Sequence, residues 1–385
     1  MNAGAGQKPR PFAFTLIGIG AATGAAHIGN NFTTYLVGGL IDRFGFLPSQ
    51  MGAWNMAETL SYAAAMFLVA PRSRSMDARM LAVLATALVC LAQVVSAHTG
   101  TFALLFAGRI GTGFGFGIMN SAVNLAAGRT EHPARWISLG ITVQTILYSV
   151  VSIGLPMIGK SFGVSGMFLA LAGLSMSLGL LAMFLPGGVD PVAGSDDPKS
   201  GAGVGAEGQR VLIAMALFAF GSLAIWPFIE RTAHAIGIPA TRFGQFQSMA
   251  VLASALSNAI LAAVIKRLPR TWPLVAALGG CGLTCVLLTT VGSEFAFAGA
   301  FIAYMISWFL TYPLLLGLAY AHDSSGRLAV MTTGTWLLSQ SFGSLVAGYV
   351  AQSFGGYTPI GPLGGVFCIM AIAIAVPVAR RLDKA

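Results

Sequence analysis

The sequence predicts an all-α polytopic membrane protein, with twelve transmembrane helices arranged as two six-helix bundles. Three observations carry that prediction: a composition too poor in charge for a soluble surface, twelve apolar runs of spanning length, and landmarks that recur at half the chain length. Of 385 residues, 56% are hydrophobic and 9% are charged, against roughly 25% charged in soluble globular proteins. A soluble enzyme of this size lacks the polar surface to cover its core. A disordered chain would be polar and charge-rich, and a membrane β-barrel would alternate polar lumen with apolar exterior. The four cysteines, Cys90, Cys281, Cys285 and Cys368, lie inside apolar runs with no CxxC or Cys/His spacing. They read as small apolar helix residues, so no metal and no cofactor is expected. The apolar run from Phe12 is too long for a signal-peptide core and lacks a cleavage signature.

A helix needs about 20 apolar residues to span a bilayer. Runs that satisfy this fall at 12–40, 50–70, 78–98, 101–127, 135–159 and 165–186 in the first half, and at 210–236, 244–265, 271–291, 295–320, 327–352 and 360–380 in the second. Basic residues orient them. With the N-terminus inside, Lys8, Arg10, Arg72, Arg74, Arg79, Arg129, Arg135, Lys199, Arg210, Lys266, Arg267, Arg270, Arg327, Arg380, Arg381 and Lys384 are cytoplasmic. Only Arg43, Lys160, Arg231 and Arg242 are outside, and Arg109 lies within the fourth span. The net charge of +9 is thus a topology signal that needs no nucleic acid. The expected setting is a bacterial cytoplasmic (inner) membrane, multi-pass, with both termini cytoplasmic and the chain a monomer. The polar stretch 187–209, rich in Gly, Pro and mixed charge, reads as a cytoplasmic linker. It separates an N-terminal bundle, 1–186, from a C-terminal bundle, 210–385.

A shift of 192 residues superposes Gly52 on Gly244, Arg135 on Arg327, and Ser161-Phe162-Gly163 on Ser353-Phe354-Gly355. Two repeats related by an axis along the membrane normal, with a solute site between them, follow from that register. Span four opens with Arg109-Ile110-Gly111-Thr112-Gly113-Phe114-Gly115-Phe116-Gly117. With the 6+6 spans and central linker, this stretch resembles the Arg-plus-glycines signature of the major facilitator superfamily. The family's loop between spans two and three, Gly-x-Leu-x-Asp-Arg-x-Gly-Arg-Arg, is only partly kept. Ala70-Pro71-Arg72-Ser73-Arg74-Ser75-Met76-Asp77-Ala78-Arg79 retains the basic residues without the Gly or the Asp-Arg pair in register. Gly39-Leu40-Ile41-Asp42-Arg43-Phe44-Gly45 matches the wording better, but in an outside loop, and is read as accidental. Gly154-Leu155-Pro156-Met157-Ile158-Gly159 is only loosely similar to the Gly-Pro motif of the family's antiporters, which argues against drug efflux. Gly111, Gly113, Gly115 and Gly117 make span four smooth, as sliding contacts between rocking bundles require.

Ionisable groups inside a span are costly and point to the transport path. Glu58 and Arg109 lie at similar depths in spans two and four. Desolvation favours a neutral acid and a guanidinium favours the carboxylate, so a Glu58–Arg109 pair that forms and parts would bind and release a proton. A static ion pair is the competing reading. His27 and Asn31, at i and i+4 in span one, share a face. Glu230 and Arg231 point about 100° apart near the outer end of span seven and are expected to reach interfacial water. The resemblance implies a cavity lined by spans one, two, four, five, seven, eight, ten and eleven. The candidate substrate-binding residues there are His27, Asn31, Arg109, Gln144, Tyr148, Trp226, Asn258, Tyr304, Trp308, Tyr312, Trp336 and Gln340. Trp308 with Tyr312, Trp336 with Gln340, and Gln144 with Tyr148 each share a helix face.

The resulting expectation is a proton-coupled secondary transporter, a symporter of a small organic solute working by alternating access, and not an enzyme. An organic, aromatic anion held by Arg109 and His27 is the favoured substrate. Proton-antiport efflux of amphipathic cations at Glu58 is the alternative. A non-transporting receptor or intramembrane enzyme is the alternative of another class, and neither HExxH nor an Asp pair within a span is present to support catalysis.

Overall fold

The computed structural model describes residues 11–69, 76–130, 132–187, 204–323 and 327–384, with the backbone alone at 134, 266 and 327. The expectations on Lys8, Arg10, Arg72, Arg74 and Lys199, on most of the 70–79 loop and on most of the linker lie outside these residues. The described residues are helical almost throughout. The helices are α1 (Phe12–Ala26), α2 (Ile28–Phe44), α3 (Pro48–Val69), α4 (Ala78–His98), α5 (Phe102–Gly128), α6 (Pro133–Leu181), α7 (Ala206–Ser222), α8 (Ile229–Ala235), α9 (Ala240–Val264), α10 (Thr271–Thr290), α11 (Glu294–His322), α12 (Arg327–Ser353) and α13 (Ile360–Lys384).

Twelve crossings emerge from these thirteen helices for identifiable reasons. At about 1.5 Å per residue, the 49 residues of α6 would extend more than twice the roughly 30 Å thickness of a hydrocarbon core. The chain reverses inside it at Gly163, where φ is 65° and ψ −169°. Conversely, α1 and α2 form one crossing broken at His27 (φ −118°, ψ 8°), and α7, the turn Trp226–Phe228 and α8 form another. Pro227 accounts for the second break, since it supplies no N–H and its ring collides with the preceding turn. Among the described residues, nine helical stretches are long and apolar enough to cross a membrane. Counting α6 twice and adding the more polar α3 and α12 completes the twelve. Because α7 begins at Ala206, the last residues expected in the linker are helical.

Links between helix ends confirm the alternation. On the side where α1 begins, here the near side, Arg79 Nε donates to the Leu185 carbonyl (2.9 Å). There Asp383 also accepts from the Arg270 and Thr271 amides (2.7 and 3.0 Å), and Arg381 pairs with Glu207. On the opposite, far side, Ser165 Oγ donates to the Ala97 carbonyl (2.6 Å) and Arg242 pairs with Glu294 (2.6 Å).

The repeat is visible in the backbone. The glycines with positive φ among the described residues are Gly45 (65°), Gly163 (65°), Gly237 (83°) and Gly355 (67°). Gly45 and Gly237 are 192 residues apart, as are Gly163 and Gly355. All four lie at far-side turns, where the left-handed conformation costs an L-residue roughly 1–2 kcal/mol. Helix α5 packs on α3, α4 and α1, and α6 on α1 and α4, while α10, α11 and α13 pack with α7, α9 and α12. Between the bundles, α3 crosses α12 and α6 crosses α9. A Cβ on Gly52 would collide with the Ser344 carbonyl, and one on Gly244 with the Ser152 carbonyl. The shift that carries Gly52 onto Gly244 carries Ser152 onto Ser344, so the two crossings are the same contact made twice.

The glycines of span four do not lie at this interface, contrary to expectation. Gly113 and Gly117 lie against Glu58, Ser61 and Tyr62 of α3, and Gly108 and Gly115 against α4. They bring helices of one bundle close instead of letting two bundles slide. Gly52→Val and Gly244→Val are expected to prise the far side apart, raising the rate at which a cysteine at the buried Thr34 position reacts with an impermeant maleimide. Gly154→Val, at a position with open space around it, should leave that rate unchanged.

Candidate functional site

Two groups of buried charges flank α2. The first lies inside the N-terminal bundle. Arg109 Nη1 pairs with Glu58 Oε2 at 2.7 Å, and the side chains are only 1% and 2% exposed. Thr112 Oγ1 also donates to Glu58 Oε2 (2.9 Å). Arg109 donates through Nη2 to the Thr33 hydroxyl of α2 and lies over the Trp54 ring, 3.8 Å from its centroid. Trp54 is fixed in turn by its indole N–H, which donates to the Leu105 carbonyl (3.0 Å). Gly29 of α2 has no Cβ where the Glu58 carboxylate lies. In a low dielectric a lone charge here would be prohibitive, so the guanidinium and carboxylate hold α2, α3 and α5 in register. The sequence places Glu58 and Arg109 at a similar depth without showing that they face each other, and Thr33, Trp54 and Gly29 were not foreseen.

The second group closes the far side. Glu230 and Arg231, expected in interfacial water, are buried. Arg231 Nε and Nη2 donate to Glu230 (2.7 and 2.9 Å), and Nη1 and Nη2 donate to Asp42 across the bundle interface (2.6 and 3.2 Å). The reason is Gly38: a Cβ there would strike the Glu230 carboxylate, so its absence lets the two charges seat against α2. Gly39 to Phe44 is helical and not a loop, and its Asp42 is a partner in the closure. Around the triad, Trp226 Nε1 donates to the Asn30 carbonyl (2.6 Å), the Glu230 amide to Thr34 Oγ1 (2.9 Å), and Gln247 Nε2 to the Asn31 carbonyl (3.1 Å). A recess of about 610 Å³ lies over it, lined by Tyr35, Asp42, Lys160, Glu230, Arg231 and Thr241 among others.

The remaining candidates divide by role. Tyr148 and Tyr304 are buried. Tyr148 Oη donates to the Gly24 carbonyl (2.6 Å) and Tyr304 Oη to the Ser222 carbonyl (2.7 Å), each just before a helix break. Trp226 belongs to the closure. His27 and Asn31 act through the backbone: Asn31 Nδ2 donates to the His27 carbonyl (2.9 Å), and His27 Nδ1 to the Thr23 carbonyl (3.0 Å). The other His27 nitrogen lies 3.5 Å from Tyr62 Oη. Tyr62 lies within electrostatic reach of Tyr312 across the interface. There Trp308 and Tyr312 stack at 6.2 Å and 6°, as their spacing predicted, and Trp336 lies 5.2 Å from Tyr312. Gln144 and Asn258 are half-buried and Gln340 is buried. The residue missed here is Tyr62, one helical turn beyond Glu58 in α3.

No family model and no curated protein matches the sequence. Solved structures match by shape over nearly the whole chain. A bacterial homolog of the human lysosomal transporter Spinster, inward-facing and unoccupied, gives a TM-score of 0.75 at 13% identity over 98% of this chain and 99% of that one. The chain has the major facilitator fold. The nucleoside transporter NupG (TM-score 0.70, 13% identity, 97% and 99% covered) and the human organic anion transporter MFSD10 (0.63, 16%, 96% and 100%) share it. In this major facilitator fold the Glu58–Arg109 pair has no counterpart in the second repeat, where the shift of 192 gives Ala250 and Phe301.

The far-side triad makes a quantitative prediction. Asp42 is 58% exposed, so water screens its share of the pairing, whereas Glu230 is desolvated. Arg231→Met should therefore cost about 3–5 kcal/mol by leaving Glu230 unpaired, seen as a lower thermal unfolding midpoint in detergent. Glu230→Gln combined with Arg231→Met should recover most of the loss. A double variant as unstable as the single one would contradict this.

Proposed function

We propose that the chain is a secondary transporter that moves a small organic solute by alternating access, coupled to protons, and that it is not an enzyme. Its setting is a bacterial cytoplasmic membrane with both termini cytoplasmic, working as a monomer of an N-terminal bundle, a short linker and a C-terminal bundle. The observation that carries this reading is the placement of α2 between a buried ion pair of one bundle and the closure of the far side. The three solved structures are named as transporters, two of them for nucleosides and organic anions, and all share the fold. With the N-terminus inside, the far side is external, and the conformation closed there presents the site to the cytoplasm.

The partners of Arg109 support proton coupling. When Glu58 takes a proton, the ion pair is lost, but Arg109 keeps the Thr33 hydroxyl and the Trp54 face, and the neutral acid keeps Thr112. The guanidinium is then left without a counter-charge in the bundle core, a costly state that favours a rearrangement of its surroundings. The change is felt through Thr33 and Gly29 on α2, the helix whose Asn30, Asn31, Thr34 and Asp42 hold the second bundle. A ligand or proton moves a two-state equilibrium only by its differential interaction with the two states, and α2 is where that difference arises.

Glu58→Gln mimics the neutral acid and cannot release a proton. In proteoliposomes it is expected to abolish accumulation driven by a pH gradient while solute exchange stays measurable. Undiminished proton-driven accumulation in that variant would remove Glu58 from the mechanism.

A further inference from the structure

The space between the bundles is lined by rings and by hydrogen-bonding groups without charge. Trp308, Tyr312 and Trp336 form a contiguous cluster, with Trp308 6.1 Å from Trp336 and Phe218 stacked behind Trp308 at 6.2 Å. Tyr62 and His27 face it from the first bundle. The indole N–H groups of both Trp308 and Trp336 are buried without a hydrogen-bond partner. A buried unpaired donor costs about 1–3 kcal/mol, and two in one cluster call for an explanation. Gln144 occupies the position in the first repeat that Trp336 occupies in the second, 192 residues on. It is half-buried there, an amide able both to donate and to accept.

Among the described residues, buried charge is used elsewhere: the buried charged side chains are Glu58, Arg109, Glu230 and Arg231, and each is paired within its own group. Arg109, the expected holder of an anion, turns toward Glu58, Thr33 and Trp54. His27 donates through Nδ1 to Thr23, which leaves Nε2 an acceptor in the neutral ring. Among the described residues, an anion would meet no free buried cation here. A lipophilic cation would gain from ring faces, but these rings pack on one another at 5–6 Å, and the unpaired indole donors repel it.

We propose that the site takes an uncharged planar ring bearing hydrogen-bond acceptors, stacked on the Trp308–Tyr312 face and accepting from the Trp308 and Trp336 indoles, with Gln144 opposite. This rests on the transporter reading for its consequence in flux, and on the ring cluster and its unpaired indoles alone for binding. The acceptors of the solute satisfy the two orphaned donors, and its ring extends the existing stack. The preference for an aromatic anion expected from sequence is replaced by one for a neutral heteroaromatic.

Binding is read by tryptophan fluorescence on the full-length protein in detergent. The probes are nicotinamide and thymine (uncharged, with acceptors), toluene (uncharged, without them), benzoate (anion) and tetraphenylphosphonium (cation). Nicotinamide or thymine is expected to bind most tightly. Trp336→Phe, which keeps the ring and removes the N–H, should weaken that probe about fivefold and leave toluene unchanged. Trp308→Phe should behave in the same way, so that a folding defect in one variant leaves the other decisive. Tighter binding of benzoate or tetraphenylphosphonium, no binding of either uncharged acceptor, or equal losses for toluene would overturn the proposal. Binding as expected with no flux of the same probe in proteoliposomes would uphold the site and count against the transporter reading.

Discussion

Everything distinctive in this protein passes through α2, a helix of 17 residues that carries one set of contacts to each bundle. Gly29 and Thr33, four residues apart, face Glu58 and Arg109. Asn30, Thr34, Gly38 and Asp42, also spaced by four, face Trp226, Glu230 and Arg231. The two stripes are one residue out of phase, so they lie about 100° apart around a single rigid cylinder. A rotation or tilt of α2 that suits one bundle must disturb the other. Buried charge makes this strict, because an ion pair in low dielectric tolerates little separation before desolvation dominates.

A helix able to move as a unit has to be separable from its continuation, and the breaks at His27 and after Ser222 provide that. A break inside a membrane frees backbone carbonyls, which must find donors in the protein. Tyr148 supplies one to Gly24 and Tyr304 one to Ser222, the same solution in each bundle. These hydroxyls explain two tyrosines that a reading of aromatic stripes assigns to substrate. Each hydroxyl satisfies a carbonyl beside a break.

The span count, the alternation and the twofold repeat were legible in the sequence because they rest on quantities that composition records: run length, the placement of Lys and Arg, and the register of glycines. That Glu58 and Arg109 lie at a similar depth was legible too, since so few charges lie within the spans. The facing of each helix was not. In a chain this apolar, the lipid side and the packed side differ little in hydropathy, so nothing marks which stripe of α5 meets α3 and which meets a moving partner. Asp42 was passed over because it sits near a chain turn, and Glu230 because it sits near a membrane surface. The signal that finds them is the repeat itself: shifted by 192, Glu230 falls on Gly38, a charge opposite an absent side chain. Gly45 and Gly237 mark the same register. Trp54, Thr33 and Tyr62 carried no such mark, as each is an ordinary residue in an ordinary helix until its neighbours are known.

If α2 couples the buried pair to the far-side closure, the two sides of the molecule cannot open independently. Spin labels at Lys160 and Arg242 report the far-side gap between α6 and α9, and labels at His132 and Leu268 report the near-side gap between the same helices. Pulsed dipolar distances are measured with and without a transported solute, in wild type and in Glu58→Gln. A far-side distance that lengthens as the near-side distance shortens, with the balance shifted by Glu58→Gln alone, is the predicted result. Distances that do not change, or that change on one side without the other, would contradict it.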